Sequence, residues 1–124
     1  MKEDKPKILK SMKCLVTGGA GFIGSNLVDR LVKLGYQVIV LDNLSTGRLS
    51  NLLQVKNKIE FVNVDVANSE NSIGQYFNDV DWVFHLAGLA DIVPSIKNPN
   101  KYFDTNVAGT INVLQAIKKE NIKN

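Results

Sequence analysis

The sequence lacks the features of a disulfide-stapled, secreted or membrane-spanning protein. Its 124 residues contain a single cysteine, Cys14, so an internal disulfide is excluded. No apolar run approaches the roughly 20 residues that a bilayer-spanning helix needs. The charged start of the chain lacks the apolar stretch of a signal peptide. The expected compartment is therefore the cytoplasm, and Cys14, within an apolar run, is expected to be a buried, unreactive thiol.

A concentrated patch of positive charge is also missing. The formal net charge is only +3, and many of the lysines lie near the two ends of the chain: Lys2, Lys5, Lys7, Lys10, Lys13, Lys118, Lys119 and Lys123. Charges in such positions are typical of solvated surface and not of a nucleic-acid-binding face. Neither a nucleic acid nor a membrane is therefore expected as a partner, and no metal site is predicted.

Short apolar runs alternate with segments of helical periodicity. Buried strands are predicted at residues 13–17, 37–41, 59–62 and 82–86. Helices are predicted at residues 21–34, 48–55, 69–77 and 102–119. The buried face of the last helix is expected to comprise Val107, Ile111, Leu114 and Ile117. Residues 92–100 contain two prolines and are expected to be mostly loop.

This alternation predicts one α/β domain. Strands joined by helices through short connections form βαβ units with right-handed crossovers. We therefore expect a Rossmann-like, doubly wound parallel sheet, here truncated to about four strands in the order 3-2-1-4. Residues 12–124 are expected to form this partial domain, and residues 1–11 a flexible N-terminal tail.

The segment TGGAGFIG lies between the first predicted strand and the first predicted helix. Gly19, Gly21 and Gly24 match the pattern G-x-G-x-x-G, and Gly18 extends it to G-x-x-G-x-x-G. Glycines let a pyrophosphate approach the unpaired N–H groups and the positive end of a helix. A Walker A loop is disfavoured because Ser25 occupies the position of its lysine. The segment therefore predicts a dinucleotide-binding turn.

Asp42 follows the second predicted strand, where an acidic residue can accept hydrogen bonds from the adenosine ribose. Its charge would also repel the 2′-phosphate of NADP, so NAD is the expected cofactor. Arg48 is the one nearby feature that favours NADP, because an arginine can accommodate that phosphate.

Together, these motifs resemble the N-terminal half of an extended short-chain dehydrogenase/reductase. More narrowly, the chain is similar to the NAD-dependent epimerase/dehydratase family, of the UDP-glucose 4-epimerase type. The resemblance spans residues 12–117 and includes the stretches TGGAGFIGSNLV, LDNLSTGR, FHLAG and YFDTNVAGTINVLQA. It implies an enzyme that epimerises a nucleotide-sugar by oxidation, rotation and reduction at the sugar C4, with NAD as cofactor.

The resemblance assigns cofactor contacts to the turns after all four strands. The pyrophosphate would lie against Gly18, Gly21, Phe22, Ile23 and Gly24. The adenosine would be bound by Asp42, Asn43, Ser45, Thr46, Gly47, Asp65 and Val66. The end of the fourth strand and the nicotinamide side of the last helix would add Leu86, Ala87, Gly88 and Asn106.

The catalytic residues of the resembling family are missing from these 124 residues. The family uses a Tyr-x-x-x-Lys pair, in which the tyrosine takes a proton from the sugar hydroxyl while hydride passes to NAD. Tyr36, Tyr76 and Tyr102 are not followed by lysine four positions later. No catalytic residue is therefore predicted, and the isolated chain is expected to hold NAD without completing the reaction. The nucleotide-sugar substrate would bind only in a full-length enzyme.

Two alternatives stay open at this stage. The chain could be a non-catalytic dinucleotide-binding or interaction module. It could also be part of an NDP-sugar 4,6-dehydratase, decarboxylase or reductase.

An exposed edge on the fourth strand predicts self-association, because open strand edges pair with other chains. His85 lies within a predicted buried strand, so we expect a core histidine and not a proton carrier.

Overall fold

The computed structural model describes residues 11–68 and 73–124 and shows a parallel sheet of four strands within them. These strands are β1 (Lys13–Thr17), β2 (Gln37–Asp42), β3 (Ile59–Asn63) and β4 (Trp82–His85). Their order is β3-β2-β1-β4, which confirms the predicted 3-2-1-4 arrangement. The order follows from the connections, since each crossover returns the chain parallel to a neighbouring strand. The carboxyl ends of all four strands therefore lie at one edge of the sheet.

Helices connect and follow the strands. The crossover from β1 to β2 contains α1 (Phe22–Lys33), and two 3-10 helices, Leu49–Leu52 and Ile73–Phe77, follow β2 and β3. The segments after β4 are α2 (Ile92–Lys97), α3 (Pro99–Phe103), a π-helical turn (Asp104–Ala108) and α4 (Gly109–Lys119). None of the helices within the described part of the chain is long and apolar enough to cross a membrane.

Several helix predictions need correction. The helix predicted at residues 48–55 is a single 3-10 helix, and so is the described part of the one predicted at residues 69–77, whose first four residues lie outside the described part. The predicted loop at residues 92–100 is instead α2 followed by the start of α3. Both prolines lie in first turns, where a helix needs no backbone N–H donor. The Asn98 side chain also accepts a hydrogen bond from Lys101 N at 3.3 Å and caps α3.

Of the predicted N-terminal tail, only Ser11 is described, and residues 1–10 lie outside the described part. Its hydroxyl donates to the carbonyl oxygen of Gly35 at 2.9 Å. At the outer edge of the sheet, Val83 N donates to the carbonyl oxygen of Asn124 at 3.0 Å. The end of the chain therefore lies beside β4 at one point, and self-association through this edge stays a prediction.

The core has two layers because alternate strand residues face opposite sides of the sheet. On one side, the strand residues Cys14, Val16 and Val38 pack with Val28 and Leu31 of α1. The other layer is formed by α4, the second 3-10 helix and strand residues of the opposite face: Leu15, Ile39, Leu41, Val64, Val66, Ile73, Phe77, Val80, Val113 and Ala116.

Cys14 is fully buried, in agreement with its expected structural role. Burial, together with a smaller contribution from the negative charge of Asp81, raises the pKa of the thiol. The reactive thiolate is therefore disfavoured.

The predicted buried face of the last helix is largely wrong. Val107, Ile111 and Leu114 are exposed, whereas the buried positions of α4 are Gly109, Val113 and Ala116. Ile117 does pack against the core as a partly buried residue. The helix approaches the core through small residues, with Gly109 lying against Val66, so the face that carries the larger apolar side chains is left exposed.

We predict that Val113→Ala lowers the free energy of unfolding by about 1–3 kcal/mol, because it leaves a cavity against Leu15 and Phe77. Leu114→Ala removes more carbon but is expected to change it by less than about 0.5 kcal/mol, since Leu114 is 57% exposed. Urea denaturation followed by circular dichroism measures both. A larger loss for Leu114→Ala would contradict the observed face.

Candidate functional site

A cleft of about 380 Å³ opens at the carboxyl ends of the strands. Parallel sheets place such clefts where the strand order reverses, here between β1 and β4. Every residue predicted to contact the cofactor lines this cleft except Asn106. Five lining residues were not predicted: Leu41, Val64, Leu89, Ala90 and Thr105. Leu41 and Val64 are the last residues of apolar, strand-like segments of the sequence. This position is the signal by which they could have been predicted.

The turn after β1 is built on close backbone contacts. Gly18 has φ +68°, and a Cβ there would lie 2.7 Å from the backbone nitrogen of Ala87. A Cβ on Gly24, in the first turn of α1, would overlap the carbonyl oxygen of Gly18. Both positions therefore require glycine, and the turn is folded tightly between α1 and the loop after β4. Phe22 and Ile23 lie beside it with 84% and 70% of their surfaces exposed.

Asp42 connects this turn to the end of β2. One carboxylate oxygen accepts from Ala20 N at 3.0 Å, and the other accepts from Leu44 N at 2.8 Å. The residue is only 8% exposed, so its charge is held in place by the backbone. Each oxygen keeps a second acceptor position that a ligand hydroxyl can use. Asp42 thus has a structural role in the turn in addition to facing the cleft.

Asn51 was not predicted as a site residue, yet its side chain holds the glycine turn in place. Its side-chain amide donates to the carbonyl oxygen of Ala20 at 2.8 Å, and Arg48 N donates to the same oxygen at 3.0 Å. Ala20 is therefore held on both sides, by Asp42 at its N–H and by these donors at its carbonyl. No sequence motif marks Asn51, because its role depends on where the 3-10 helix folds back. The Arg48 side chain does not line the cleft.

The turns after β2 and β3 meet through two polar side chains. The Asn43 amide donates to one Asp65 carboxylate oxygen at 3.2 Å, and the other accepts from Ala67 N at 2.8 Å. The Asn43 carbonyl oxygen accepts from Ser45 N at 3.0 Å. These bonds give the adenosine end of the predicted site fixed acceptors at the cleft wall.

Asn106 lies in the π-helical turn and does not line the cleft. Its side chain accepts from Leu89 N at 2.8 Å and donates to the carbonyl oxygen of Leu89 at 2.9 Å. The carboxamide therefore acts like a short piece of strand that pairs with the loop after β4. This pairing fixes the loop at the cleft wall, and the position of Asn106 near the nicotinamide side stays a prediction.

His85 ends β4 beside this wall. Its ring contacts the hydroxyl of Thr17 through Nδ1 at 2.6 Å and the hydroxyl of Thr110 through Nε2 at 2.9 Å. Burial lowers the pKa of the imidazole, so the neutral form is favoured. This agrees with the expectation of a core histidine with satisfied hydrogen bonds.

The sequence is similar to those of known nucleotide-sugar enzymes. The curated relatives include the putative UDP-glucose 4-epimerase of Methanocaldococcus jannaschii, which is 45% identical over 87% of this chain. UDP-glucuronic acid decarboxylase 1 of Arabidopsis thaliana is 41% identical over 89% of this chain. The present chain covers 34% and 24% of these two proteins, so it spans about a third of the first and about a quarter of the second.

The fold also matches solved structures of this kind. The crystal structure of UDP-glucose 4-epimerase from Thermus thermophilus, a complex with NAD, superposes with a TM-score of 0.80 and 37% identity. The match covers 90% of this chain and 35% of that one. The family model described as "NAD dependent epimerase/dehydratase family" matches residues 14–124. The chain therefore belongs to the NAD-dependent epimerase/dehydratase family.

Proposed function

We propose that this chain forms the NAD-binding part of a nucleotide-sugar epimerase of the UDP-glucose 4-epimerase type. One observation carries the proposal: a single cleft brings together the glycine turn after β1, Asp42 at the end of β2 and Asp65 after β3. These are the groups that a pyrophosphate, a ribose and an adenine would each need. The 45% identity to a putative UDP-glucose 4-epimerase supports the reaction type.

The pyrophosphate would lie at the first turn of α1. Gly18 and Gly24, where a Cβ would overlap backbone atoms, leave a backbone surface that a phosphate can approach closely. The positive end of the α1 dipole favours an anion at this place. Phe22 and Ile23 would cover the neighbouring part of the cofactor with apolar surface.

The adenosine would lie across the ends of β2 and β3. Asp42 would accept hydrogen bonds from the ribose hydroxyls through the acceptor positions that its own backbone partners leave free. Asn43, Ser45, Thr46 and Gly47 line the same end of the cleft, and Asp65 and Val66 would flank the adenine. The side chain of Arg48 does not line the cleft, so the arrangement favours NAD over NADP.

The loop after β4 would form the wall beside the remaining part of the cofactor. Leu86, Ala87 and Gly88 line the cleft there, and Asn106 holds the loop through Leu89. When bound, NAD supplies a hydride acceptor for oxidation of a sugar hydroxyl. This chain's own residues bind and orient the cofactor. With no Tyr-x-x-x-Lys pair among its residues, the chain by itself is proposed not to carry out the proton transfer.

One specific observation supports a further candidate. The 41% identity to a UDP-glucuronic acid decarboxylase favours the same cofactor-binding part in a decarboxylase. In either case the chain by itself is expected to convert neither UDP-glucose nor UDP-glucuronic acid in the presence of NAD, because it contains no Tyr-x-x-x-Lys pair. Turnover of either substrate by the chain alone would contradict this expectation.

Calorimetric titration tests the cofactor assignment. We predict binding of NAD and of ADP-ribose, with NADP weaker by roughly tenfold or more, because the 2′-phosphate would approach the fixed charge of Asp42. Asp42→Ala is expected to weaken NAD and to reduce the discrimination between NAD and NADP.

The ratio of the two affinities separates a charge effect from general loosening of the turn, which would weaken both cofactors alike. Glu60→Gln provides a matched control, since it removes one exposed negative charge on β3 without touching the cleft. Absence of binding by the folded wild-type chain, or a ratio unchanged in Asp42→Ala, would contradict the proposal.

A second prediction concerns the glycine turn. Gly24→Ala is expected to abolish NAD binding and to lower the melting temperature, because its Cβ would overlap the Gly18 carbonyl. In Gly88→Ala the new Cβ meets only the side-chain oxygen of Asn106, at an ordinary 3.4 Å, so this variant should keep the wild-type melting temperature. Thermal unfolding and NAD titration of both variants provide the measurement. Wild-type behaviour of Gly24→Ala would show that the close contact is unnecessary.

A further inference from the structure

A series of linked hydrogen bonds lies behind the wall of the cleft. It connects the end of β1, the end of β4 and the start of α4 through Thr17, His85 and Thr110. Thr17 is completely buried, so its hydroxyl has no access to water. The cofactor contacts proposed above do not include the side chain of any of these three residues.

The bonds at the two ends of this hydrogen-bond series determine where each proton lies. The hydroxyl of Thr110 donates to the carbonyl oxygen of Asn106 at 2.6 Å, so it must accept from His85 Nε2–H. Nδ1 then carries no proton and accepts from the hydroxyl of Thr17. A single neutral tautomer of His85 satisfies both contacts.

Thr17 extends the hydrogen-bond series into the loop after β4. Its hydroxyl oxygen accepts from Leu86 N and from Ala87 N, both at 3.1 Å. With its proton directed to His85, both of its acceptor positions are therefore used. The same stretch of loop backbone lies against Gly18, where a Cβ would be 2.7 Å from Ala87 N. The hydroxyl of Thr17 thus holds the wall of the cleft against the glycine turn.

We propose that His85 is a positioning residue for the cofactor cleft. Its neutral, Nε2-protonated imidazole holds the loop at residues 86–88 through Thr17, and protonation of the ring releases this loop and weakens NAD binding. The part of this inference that concerns NAD rests on the proposed function, whereas the tautomer and the movement of the loop do not.

Protonation conflicts with the bonds around Thr17. A proton on Nδ1 would face the Thr17 hydroxyl proton, so the hydroxyl would have to turn and accept from the ring. One of its two acceptor positions would then be lost to the loop, and Ala87 N would lose the acceptor that the structure gives it. Because Thr17 is buried, its hydroxyl gains no bond to water in exchange, and the loop loses one of its two bonds to this hydroxyl.

The surroundings of the ring reinforce this preference. The polar groups that the structure places against it are the hydroxyl of Thr17 from β1 and that of Thr110 from α4; neither is titratable in the relevant range. Burial alone lowers the pKa of His85, and no charged group contributes. Because the folded-state pKa is lowered, the stability that the neutral ring contributes is fully present above the pKa of the unfolded state. It is lost as the pH falls through the folded-state pKa. Acidification is therefore expected to destabilise the loop first.

Nuclear magnetic resonance can test the tautomer directly, since His85 is the single histidine of the sequence. In ¹⁵N-labelled protein at neutral pH we expect the proton on Nε2 and none on Nδ1. On acidification, the amide signals of Leu86 and Ala87 should shift with the same midpoint as the ring, while the amides of α1 stay unchanged. A proton on Nδ1, or loop amides that ignore the titration, would overturn the proposal.

NAD titration over the same pH range tests the consequence for the cleft. We expect affinity to fall roughly tenfold as the ring becomes protonated, the effect of about one lost hydrogen bond. His85→Asn keeps an acceptor for Thr17 and cannot titrate, so it should bind NAD with a flat pH profile. His85→Leu removes the acceptor and should bind more weakly at every pH.

The outcomes separate the two proposals. If the wild type fails to bind NAD at any pH, the proposed function fails, and the positioning role is still decided by the tautomer and the loop amides. If NAD binds with the same affinity on both sides of the ring titration, the positioning role is wrong and the cofactor assignment stands. Equal behaviour of His85→Asn and His85→Leu would also contradict it.

Discussion

The contact between the glycine turn and the loop after β4 is the constraint on which the site depends. Gly18 lies against the backbone of residues 86 and 87, and Gly24 lies against Gly18, at distances that exclude any side chain. This packing brings the ends of β1 and β4 together at the point where strand order reverses. A cleft forms there because the connections leave the sheet in opposite directions on the two sides of this point.

Polar side chains around the cleft stabilise this arrangement. Asp42 holds Ala20 N, Thr17 holds the loop after β4, and Asn106 pairs with Leu89. Asp42 and Thr17 are buried, and a buried polar group left without a partner costs more than a hydrogen bond contributes. The walls of the cleft are therefore set before any cofactor binds, which reduces the ordering cost of binding.

Much of the fold and site could be predicted because local chemistry and chain order agree. Apolar runs of strand length located all four strands, and the glycine pattern located the turn between β1 and α1. The last helix was harder. Periodicity identified Val107, Ile111 and Leu114 as its apolar face, but α4 packs through Gly109, Val113 and Ala116. Small residues that allow close approach to Val66 outweigh larger apolar ones, and sequence spacing does not register this choice.

The sequence by itself determined the strand order, the family and most of the residues that line the cleft, because each follows from a local motif or from short right-handed crossovers. Only the tertiary structure decided what several of these residues do. Asn106 proved to hold Leu89, Asn51 to support Ala20, and His85 to connect two threonines. Those roles depend on partners up to 68 residues away in the chain, and a single sequence carries no signal for such distances and directions.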